Sequence, residues 1–222
     1  MYKNLFKKDY IDLFFIVVII FFVRNFIVEP FRVPSGSMKP TLLVGDFIFA
    51  YKFAYTVKLP FINKYIDISN PCRGDVLIFY KNNIRYVKRL IGLPNDILIY
   101  KNKTLYLNRI KIKKKRLVCS LNKKKEFEMK CVMMEYLNSC KEYKIKLLKN
   151  DLMQYNNYEF FNKKVYYSSY FVLGDNRDNS EDSRVYGMID KFKIKGKVIR
   201  KWISFDIKHL DIRWNRLFKV IR

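Results

Sequence analysis

The sequence predicts a mainly β protein of antiparallel strands preceded by one N-terminal transmembrane helix. One long apolar run lies near the N-terminus. After residue 30, short segments rich in β-branched and aromatic residues recur between turn-forming residues. Half of the 222 residues are hydrophobic and 17% are aromatic, which supplies enough core material for a folded domain rather than a disordered chain.

The N-terminal apolar run is interpreted as a membrane anchor. Residues 13–23 alone would span only ~16 Å as a helix, but residues 10–28 reach about 28 Å, close to the thickness of a bilayer's hydrocarbon core. Asp12 and Arg24 lie near its two ends, where charged groups can reach the membrane surface. A buried helix and a cleaved signal peptide are the alternatives, and the absence of a small-x-small cleavage site after the run disfavours the second. We therefore expect residues 1–9 to be a cytoplasmic N-terminus and residues 10–28 to be an uncleaved transmembrane signal anchor.

Seven segments beyond the anchor are predicted to be β-strands. They comprise residues 46–51, 75–80, 84–91, 97–100, 104–107, 166–173 and 196–204. Asn102 and Lys103, between two of these segments, are interpreted as a hairpin tip. Residues 29–100 and 166–222 are thus assigned to one β core, whose second part includes the C-terminal tail. Residues 101–165, between them, are assigned to an insertion or peripheral lobe rich in lysine, because the strand alternation fades into lysine-rich stretches from Lys111 to Lys164.

The charge balance first suggests a nucleic-acid partner. The chain carries 45 Lys and Arg against 20 Asp and Glu, a net charge of +25, and phosphate neutralisation dominates nucleic-acid affinity. No RNA-recognition, zinc-finger or helix-turn-helix signature accompanies this charge, so we favour compositional drift and expect no specific nucleic acid as partner. Binding of DNA or anionic lipid by residues 101–165 stays open as an alternative. The seven glycines lack the spacing of a phosphate-binding loop, which excludes Rossmann and P-loop folds.

The cysteines and the single histidine argue against a metal site. No C-x-x-C pair occurs among Cys72, Cys119, Cys131 and Cys140, so zinc is not expected. One disulfide among the last three and buried free thiols are both open. His209 lies in a basic C-terminal segment and is expected at the surface, so hydrolytic chemistry in this chain would need another base. We expect neither a metal nor a cofactor.

Three segments contain candidate chemistry, each with a simpler structural reading. Ser35 and Ser37 occupy a small-residue turn just beyond the anchor, yet this turn matches neither G-x-S-x-G nor S-x-x-K. Lys88 lies in an otherwise apolar strand segment, where it is either an edge-strand lysine or a general base whose pKa is lowered by burial. The acidic run 174–184 departs from an EF-hand at the glycine and closing glutamate positions, and suits an internally hydrogen-bonded scaffold.

Taken together, these segments resemble the bacterial type I signal peptidases. The matching blocks are SGSMKPTL at 35–42, VGD at 44–46, RGDVLIF at 73–79, YVKRLIGLPND at 86–96 and GDNRDNSEDSR at 174–184. Five blocks in the family's order are highly specific. They cover the chain from the anchor to Trp202 except for the Lys-rich lobe. Eukaryotic and archaeal relatives carry His at the position of Lys88, which favours the bacterial type.

The resemblance implies an antiparallel β catalytic domain of signal-peptidase type, with Ser37 as nucleophile and Lys88 as general base. It implies that Ser35 supplies an oxyanion-hole hydroxyl beside the backbone N–H of Ser37, and that Ser180 orients the lysine amine. Four further positions match residues that scaffold this site: Asp175, Arg177, Asp182 and Arg184.

The implied reaction is the removal of N-terminal signal peptides from exported preproteins after small-x-small sequences. The implied partners are preprotein signal peptides and the lipid bilayer, with the export translocase as a further candidate. The enzyme would be a single-pass protein of the bacterial cytoplasmic (inner) membrane, with its catalytic domain on the exported, periplasmic or extracellular side. Residues 47–49 and 59–62 would dip into the bilayer. A catalytically inactive β scaffold would have no reason to combine Ser37, Lys88 and Ser180.

Overall fold

The computed structural model describes residues 2–22, 27–58, 64–122, 125–137, 141–148, 160–206 and 209–221. Across these residues the chain forms two α-helices and seventeen β-strands. The helices are α1 (Tyr2–Phe22) and α2 (Ser183–Tyr186). The strands are β1 (Val28–Arg32), β2 (Asp46–Tyr51), β3 (Thr56–Lys58), β4 (Tyr65–Asp67), β5 (Val76–Lys81), β6 (Ile84–Gly92), β7 (Ile97–Lys101), β8 (Thr104–Leu107), β9 (Ile110–Lys111), β10 (Lys113–Asn122), β11 (Lys125–Leu137), β12 (Lys141–Leu148), β13 (Phe160–Lys164), β14 (Ser169–Leu173), β15 (Ile189–Asp190), β16 (Ile194–Asp206) and β17 (Asp211–Ile212).

The largest of the described sheets has eight strands. Its strand order is β1-β2-β16-β5-β6-β14-β15, with β17 paired to β16, and its pairings are antiparallel. Strand β16, late in the chain, therefore lies in the middle of the sheet, between β2 and β5 from the first half of the chain. Arg216, further along, donates to Asp46 Oδ2 (2.6 Å) and to the Thr41 carbonyl (3.0 Å). The prediction of a mainly antiparallel β protein is confirmed.

The predicted strand boundaries match the structure closely at most positions. Residues 46–51 and 104–107 form strands with the predicted limits. The hairpin tip at Asn102 and Lys103 is confirmed, since both have left-handed φ angles of 48° and 56° between paired strands. The predicted strand 166–173 is too long, because its first three residues form an exposed turn and β14 begins only at Ser169.

The expectation that residues 111–164 have little regular period is wrong for much of that segment. Strands β10, β11 and β12 form a regular antiparallel sheet. On β12, Tyr143, Ile145 and Leu147 alternate with charged residues and are buried in one core cluster with residues of β6, β7, β8 and β14. Lysine at the outward positions hides this period in the sequence, since the inward face alone is apolar. We keep the name Lys-rich lobe for residues 101–165.

A disulfide links Cys119 to Cys131 across β10 and β11, where the two residues are direct register partners. The sequence left open one disulfide or buried free thiols, and the structure contains the disulfide. Cys72 is an exposed free thiol, and Cys140 lies outside the described residues.

Helix α1 ends at Phe22, and Val28 already belongs to strand β1. The predicted anchor helix over residues 10–28 is therefore shorter at its C-terminal end, because Val28 pairs with Tyr51 of β2. In the part of the chain that the structure describes, no helix meets the length and apolar character needed to cross a membrane.

Candidate active site

Ser37 lies on a turn between β1 and β2 that is held by an apolar neighbour. Met38 is buried and packs among Val33, Leu42 and Ile48 in the core. The Leu42 N–H donates to the Met38 carbonyl (2.9 Å), which closes the turn. Because Met38 occupies the core, Ser37 is left half-buried and lines the adjoining cleft.

Lys88 reaches this turn from the large sheet. It lies on β6, is only 3% exposed, and its Nζ donates a 2.6 Å hydrogen bond to Ser37 Oγ. Burial lowers the pKa of Lys88 to about 8, while the Asp182 carboxylate opposes this shift and the Arg184 guanidinium reinforces it. The neutral amine, the form that accepts a proton, is therefore available near neutral pH.

The loop after β14 holds the backbone of the Ser37 turn. The Asn176 N–H donates to the Ser37 carbonyl (2.9 Å), and Asn176 Nδ2 donates to the Gly36 carbonyl (3.0 Å). Thr41 Oγ1 donates to Asp175 Oδ2 (2.5 Å) a few residues further along the turn. The turn is thus fixed at its start and its end by consecutive residues of one loop.

Two buried ion pairs hold this loop in place. Arg89 Nε and Nη2 donate to Asp175 at 2.8 and 2.7 Å, and both side chains are 1% exposed. Arg184 donates to both oxygens of Asp182 at 2.8 Å, and Asp182 also accepts from the Gly174 N–H (2.9 Å). Burial alone would lower the pKa of each arginine, but the bonded carboxylate raises it, so both pairs remain charged.

Arg177, the third arginine expected in the scaffold, pairs with the Lys-rich lobe. Its Nη1 donates to Glu135 Oε1 (3.0 Å), its Nη2 donates to Glu135 Oε2, and Nη2 also donates to Tyr143 Oη (3.1 Å). Arg177 and Glu135 are both fully buried. Sequence reasoning missed Glu135 and Tyr143, because no local pattern marks a partner that lies 42 residues away.

Ser180 lies against Gly174, which leaves no room for a side chain. A Cβ on Gly174 would stand 2.5 Å from Ser180 Cβ and 2.7 Å from the Ser37 carbonyl oxygen. Ser180 Oγ is buried and has no hydrogen-bond partner within the described part of the chain. The expected contact between Ser180 and the Lys88 amine is not formed in this structure, where the amine bonds Ser37.

Two cavities meet at Ser37 and Lys88. The larger, about 520 Å³, is lined on its far side by the acidic loop, residues 177–181. The smaller, about 190 Å³, is lined by Ser35, Ser37 and Lys88 together with Phe31, Val33, Pro34, Met38, Ile84, Arg85, Tyr86 and Val87. Ser35 borders both cavities, and its Oγ lies 3.3 Å from Ser37 Oγ. A substrate carbonyl bound at this junction would lie beside the hydroxyls of Ser35 and Ser37 and the amine of Lys88.

Outside this site the described residues offer little further chemistry. No group of three or more His, Cys, Asp or Glu side chains among them could hold a metal ion. His209 lies at the surface, as predicted, with its Nδ1 3.2 Å from Asp206. The candidate site is therefore built on Ser37 and Lys88 rather than on histidine.

A serine hydroxyl bonded to a buried amine of lowered pKa is the arrangement of serine hydrolases that use lysine in place of histidine. Comparison with known proteins gives the class more closely. The signal peptidase family, peptidase S26, matches residues 7–203, a span that includes the Lys-rich lobe. The chain belongs to this family of serine endopeptidases.

Individual relatives agree with this assignment. A signal peptidase I of Pseudomonas fluorescens is 37% identical, over 89% of this chain and 72% of the relative. One of Buchnera aphidicola subsp. Schizaphis graminum is 36% identical, over 93% of this chain and 78% of the relative. A crystal structure of a signal peptidase I from Enterococcus faecalis V583 is 26% identical and covers 59% of this chain and 98% of that one, with a TM-score of 0.35. The family assignment rests on the sequence matches.

Proposed function

We propose that the protein is a membrane-anchored endopeptidase that removes N-terminal signal peptides from exported preproteins, with Ser37 as nucleophile and Lys88 as general base. One observation carries the proposal: a buried amine of lowered pKa donates a 2.6 Å hydrogen bond to a half-buried serine hydroxyl, in a chain of the signal peptidase family. Deprotonation of the amine reverses this hydrogen bond and makes Lys88 the acceptor.

The reaction follows from these positions. Neutral Lys88 takes the Ser37 proton while Oγ bonds to the scissile carbonyl carbon. The oxyanion accepts hydrogen bonds from the Ser35 hydroxyl and the Ser37 N–H. The Lys88 ammonium then protonates the leaving amine as the C–N bond breaks, and a water deprotonated by Lys88 releases the signal peptide from the serine ester. Ser180, which lines the same cleft, orients the amine during these transfers.

The small-x-small specificity is assigned to the 190 Å³ cavity beside Ser37. Its mostly apolar lining suits a small apolar side chain next to the scissile bond, while the restriction to alanine-sized side chains is taken from the family resemblance, because a volume of about 190 Å³ alone would also admit an aromatic ring. A substrate added as an extended strand would form sequence-tolerant main-chain bonds, while this cavity discriminates between side chains. Ala-x-Ala precursors should be cleaved, and a Phe beside the scissile bond should block turnover of the same precursor.

Helix α1 is assigned to the anchor. Its large apolar side chains between Tyr10 and Phe21 are 44–70% exposed, which a lipid environment would cover. The Cys119–Cys131 disulfide favours an oxidising compartment, and hence the exported side, for the domain. In sealed vesicles, protease should reach the Lys-rich lobe from the outer face. Access from the cytoplasmic face would contradict this topology.

A bilayer contact of the domain is assigned to residues 47–49. Phe49 stacks on Trp202, with ring centroids 5.4 Å apart, and Phe47 meets Phe205 edge to face at 5.9 Å. Trp202 and Phe205 are exposed, so these rings form an aromatic surface of the kind that lies at membrane interfaces. The second predicted segment, 59–62, lies outside the described residues.

Cleavage of a model preprotein by the purified chain in detergent tests the proposal. Ser37→Ala and Lys88→Met should each abolish cleavage without unfolding the domain, and the double variant should lose no more than either single one, because a nucleophile and its base act as a unit. Near-native turnover by either single variant, with a circular dichroism spectrum like that of the wild type, would contradict the proposed dyad.

A further inference from the structure

The Lys-rich lobe contacts the candidate site directly through its strand β12. The Lys146 N–H donates to the Asp175 carbonyl (2.8 Å), and the Arg177 N–H donates to the Lys146 carbonyl (3.1 Å). Lys146 thus forms a parallel bridge with Asn176. Residues 175–177 are held against β12 in the manner of a short added strand.

Two of these three residues, Asp175 and Asn176, hold the nucleophile's turn on their other side. Asn176 bonds the carbonyls of Gly36 and Ser37, and Asp175 accepts from Thr41. A displacement of β12 relative to the large sheet would therefore be passed through residues 175–177 to the Ser37 backbone. The lobe and the nucleophile are separated by a single layer of hydrogen-bonded chain.

Glu135 is the charged group that fixes this contact. It binds Arg177 through both carboxylate oxygens and accepts a hydrogen bond from Tyr143 Oη, with both members of the ion pair fully buried. The Tyr143 ring also lies under the Arg89 guanidinium, 4.2 Å from its central carbon, and Arg89 binds Asp175. One cluster in the lobe therefore contacts Arg89 and Arg177, two of the three arginines that hold the loop.

The charge state of this cluster follows from its partners. Burial alone would raise the pKa of Glu135, but the Arg177 guanidinium and its hydrogen bonds outweigh burial and hold this pKa below its ordinary value. The carboxylate is therefore ionised at neutral pH. Removing its charge would leave the Arg177 guanidinium buried without a counter-charge, at the residue that follows Asn176.

We propose that Glu135 is a positioning residue for the reaction: through Arg177 and residues 175–177 it sets the place of the Ser37 backbone, so the Lys-rich lobe is part of the active-site framework. This inference rests on the proposed roles of Ser37 and Lys88. A shift of ~1 Å in a nucleophile can cost about a hundredfold in rate, so the effect should appear in turnover.

The test compares Glu135→Gln with Glu142→Gln, an exposed glutamate of the same small sheet, in the full-length chain in detergent. We expect kcat for preprotein cleavage to fall about tenfold or more in Glu135→Gln, with KM within about twofold of the wild type. The pH at which kcat/KM rises should stay at the wild-type value, because position and not base strength is lost. Glu142→Gln should match the wild type.

A second pair keeps the test decisive if Glu135→Gln fails to fold. Tyr143→Phe removes only the hydroxyl that bonds the ion pair, and Tyr136→Phe, on the outward face of β11, is its matched control. A folded Glu135→Gln or Tyr143→Phe enzyme with kcat within twofold of its control would overturn the positioning role. A loss of activity that disappears when the assay temperature is set well below the variant's Tm would also overturn the positioning role, because such a loss would come from unfolding.

Failure of the proposed function would look different. In that case the wild type would not cleave the preprotein, or Ser37→Ala would still cleave it, and the positioning role would fall with it. A cleaving wild type and an inactive Ser37→Ala, together with an unaffected Glu135→Gln, would reject the positioning role alone.

Discussion

Gly174→Ala tests how closely the acidic loop is fitted around the proposed nucleophile. The new Cβ would lie 2.7 Å from the Ser37 carbonyl oxygen, where ordinary contact begins at 3.4 Å, so one of the two must move by about 0.7 Å. The contact with Ser180 Cβ, at 2.5 Å, demands about 0.9 Å by the same arithmetic. Since ~1 Å of misplacement costs about a hundredfold in rate, we expect kcat to fall between about tenfold and a hundredfold.

The matched control for this variant is Gly196→Ala. Its Cβ would lie 2.6 Å from the Tyr51 carbonyl oxygen, a comparable backbone clash between β2 and β16 at a position that lines neither site cavity. Both variants should lose about 1–3 kcal/mol of unfolding free energy in urea titrations, as overpacked positions do. Only Gly174→Ala should lose turnover at temperatures where both are folded. Equal kcat values for the two variants would refute the reasoning.

Two further predictions concern charge. With the pKa of Lys88 at about 8, kcat/KM should rise about tenfold per pH unit below that pH and level off above it. Glu181→Gln should shift this rise to lower pH, because the Glu181 carboxylate raises the pKa of Lys88. A kcat/KM profile that is flat between pH 6 and 9 would contradict this prediction. Asp175→Asn should cost about 3–5 kcal/mol in urea unfolding, since it removes the negative charge that the buried Arg89 guanidinium faces in this ion pair, and an unchanged midpoint would show that the ion pair adds no stability.

Several strands were predictable because they have a local period of their own. Residues 46–51 and 104–107 alternate between inward and outward positions, and their limits are set by neighbouring turns. The turn at 166–168 was misread as strand, since two tyrosines have high strand propensity even where the backbone leaves them exposed. Strand propensity is a property of the single residue and does not show whether a neighbouring strand pairs with it.

The candidate site was predictable to the extent that its residues lie in compact sequence blocks. Ser37, Lys88 and the acidic loop could be brought together from those blocks, and the structure does place Lys88 on Ser37. Glu135 could not be found in this way, because its role depends on β11 packing under the loop. Its neighbours from Cys131 to Leu137 are mostly apolar, but nothing in the sequence shows which cation pairs with Glu135, so only the three-dimensional structure reveals the buried ion pair.

The order of the chain also governs when activity can arise. The Ser37 turn is held by Asp175, 134 residues from Thr41, and by Arg216, which bonds the Thr41 carbonyl across 175 residues. Contacts of such separation form slowly, because long loops must close first. A nascent chain that has emerged only as far as Lys88 therefore carries both proposed catalytic groups yet has nothing to hold them in register. Proteolytic competence arrives late in biogenesis, after β16 has inserted between β2 and β5 of the large sheet.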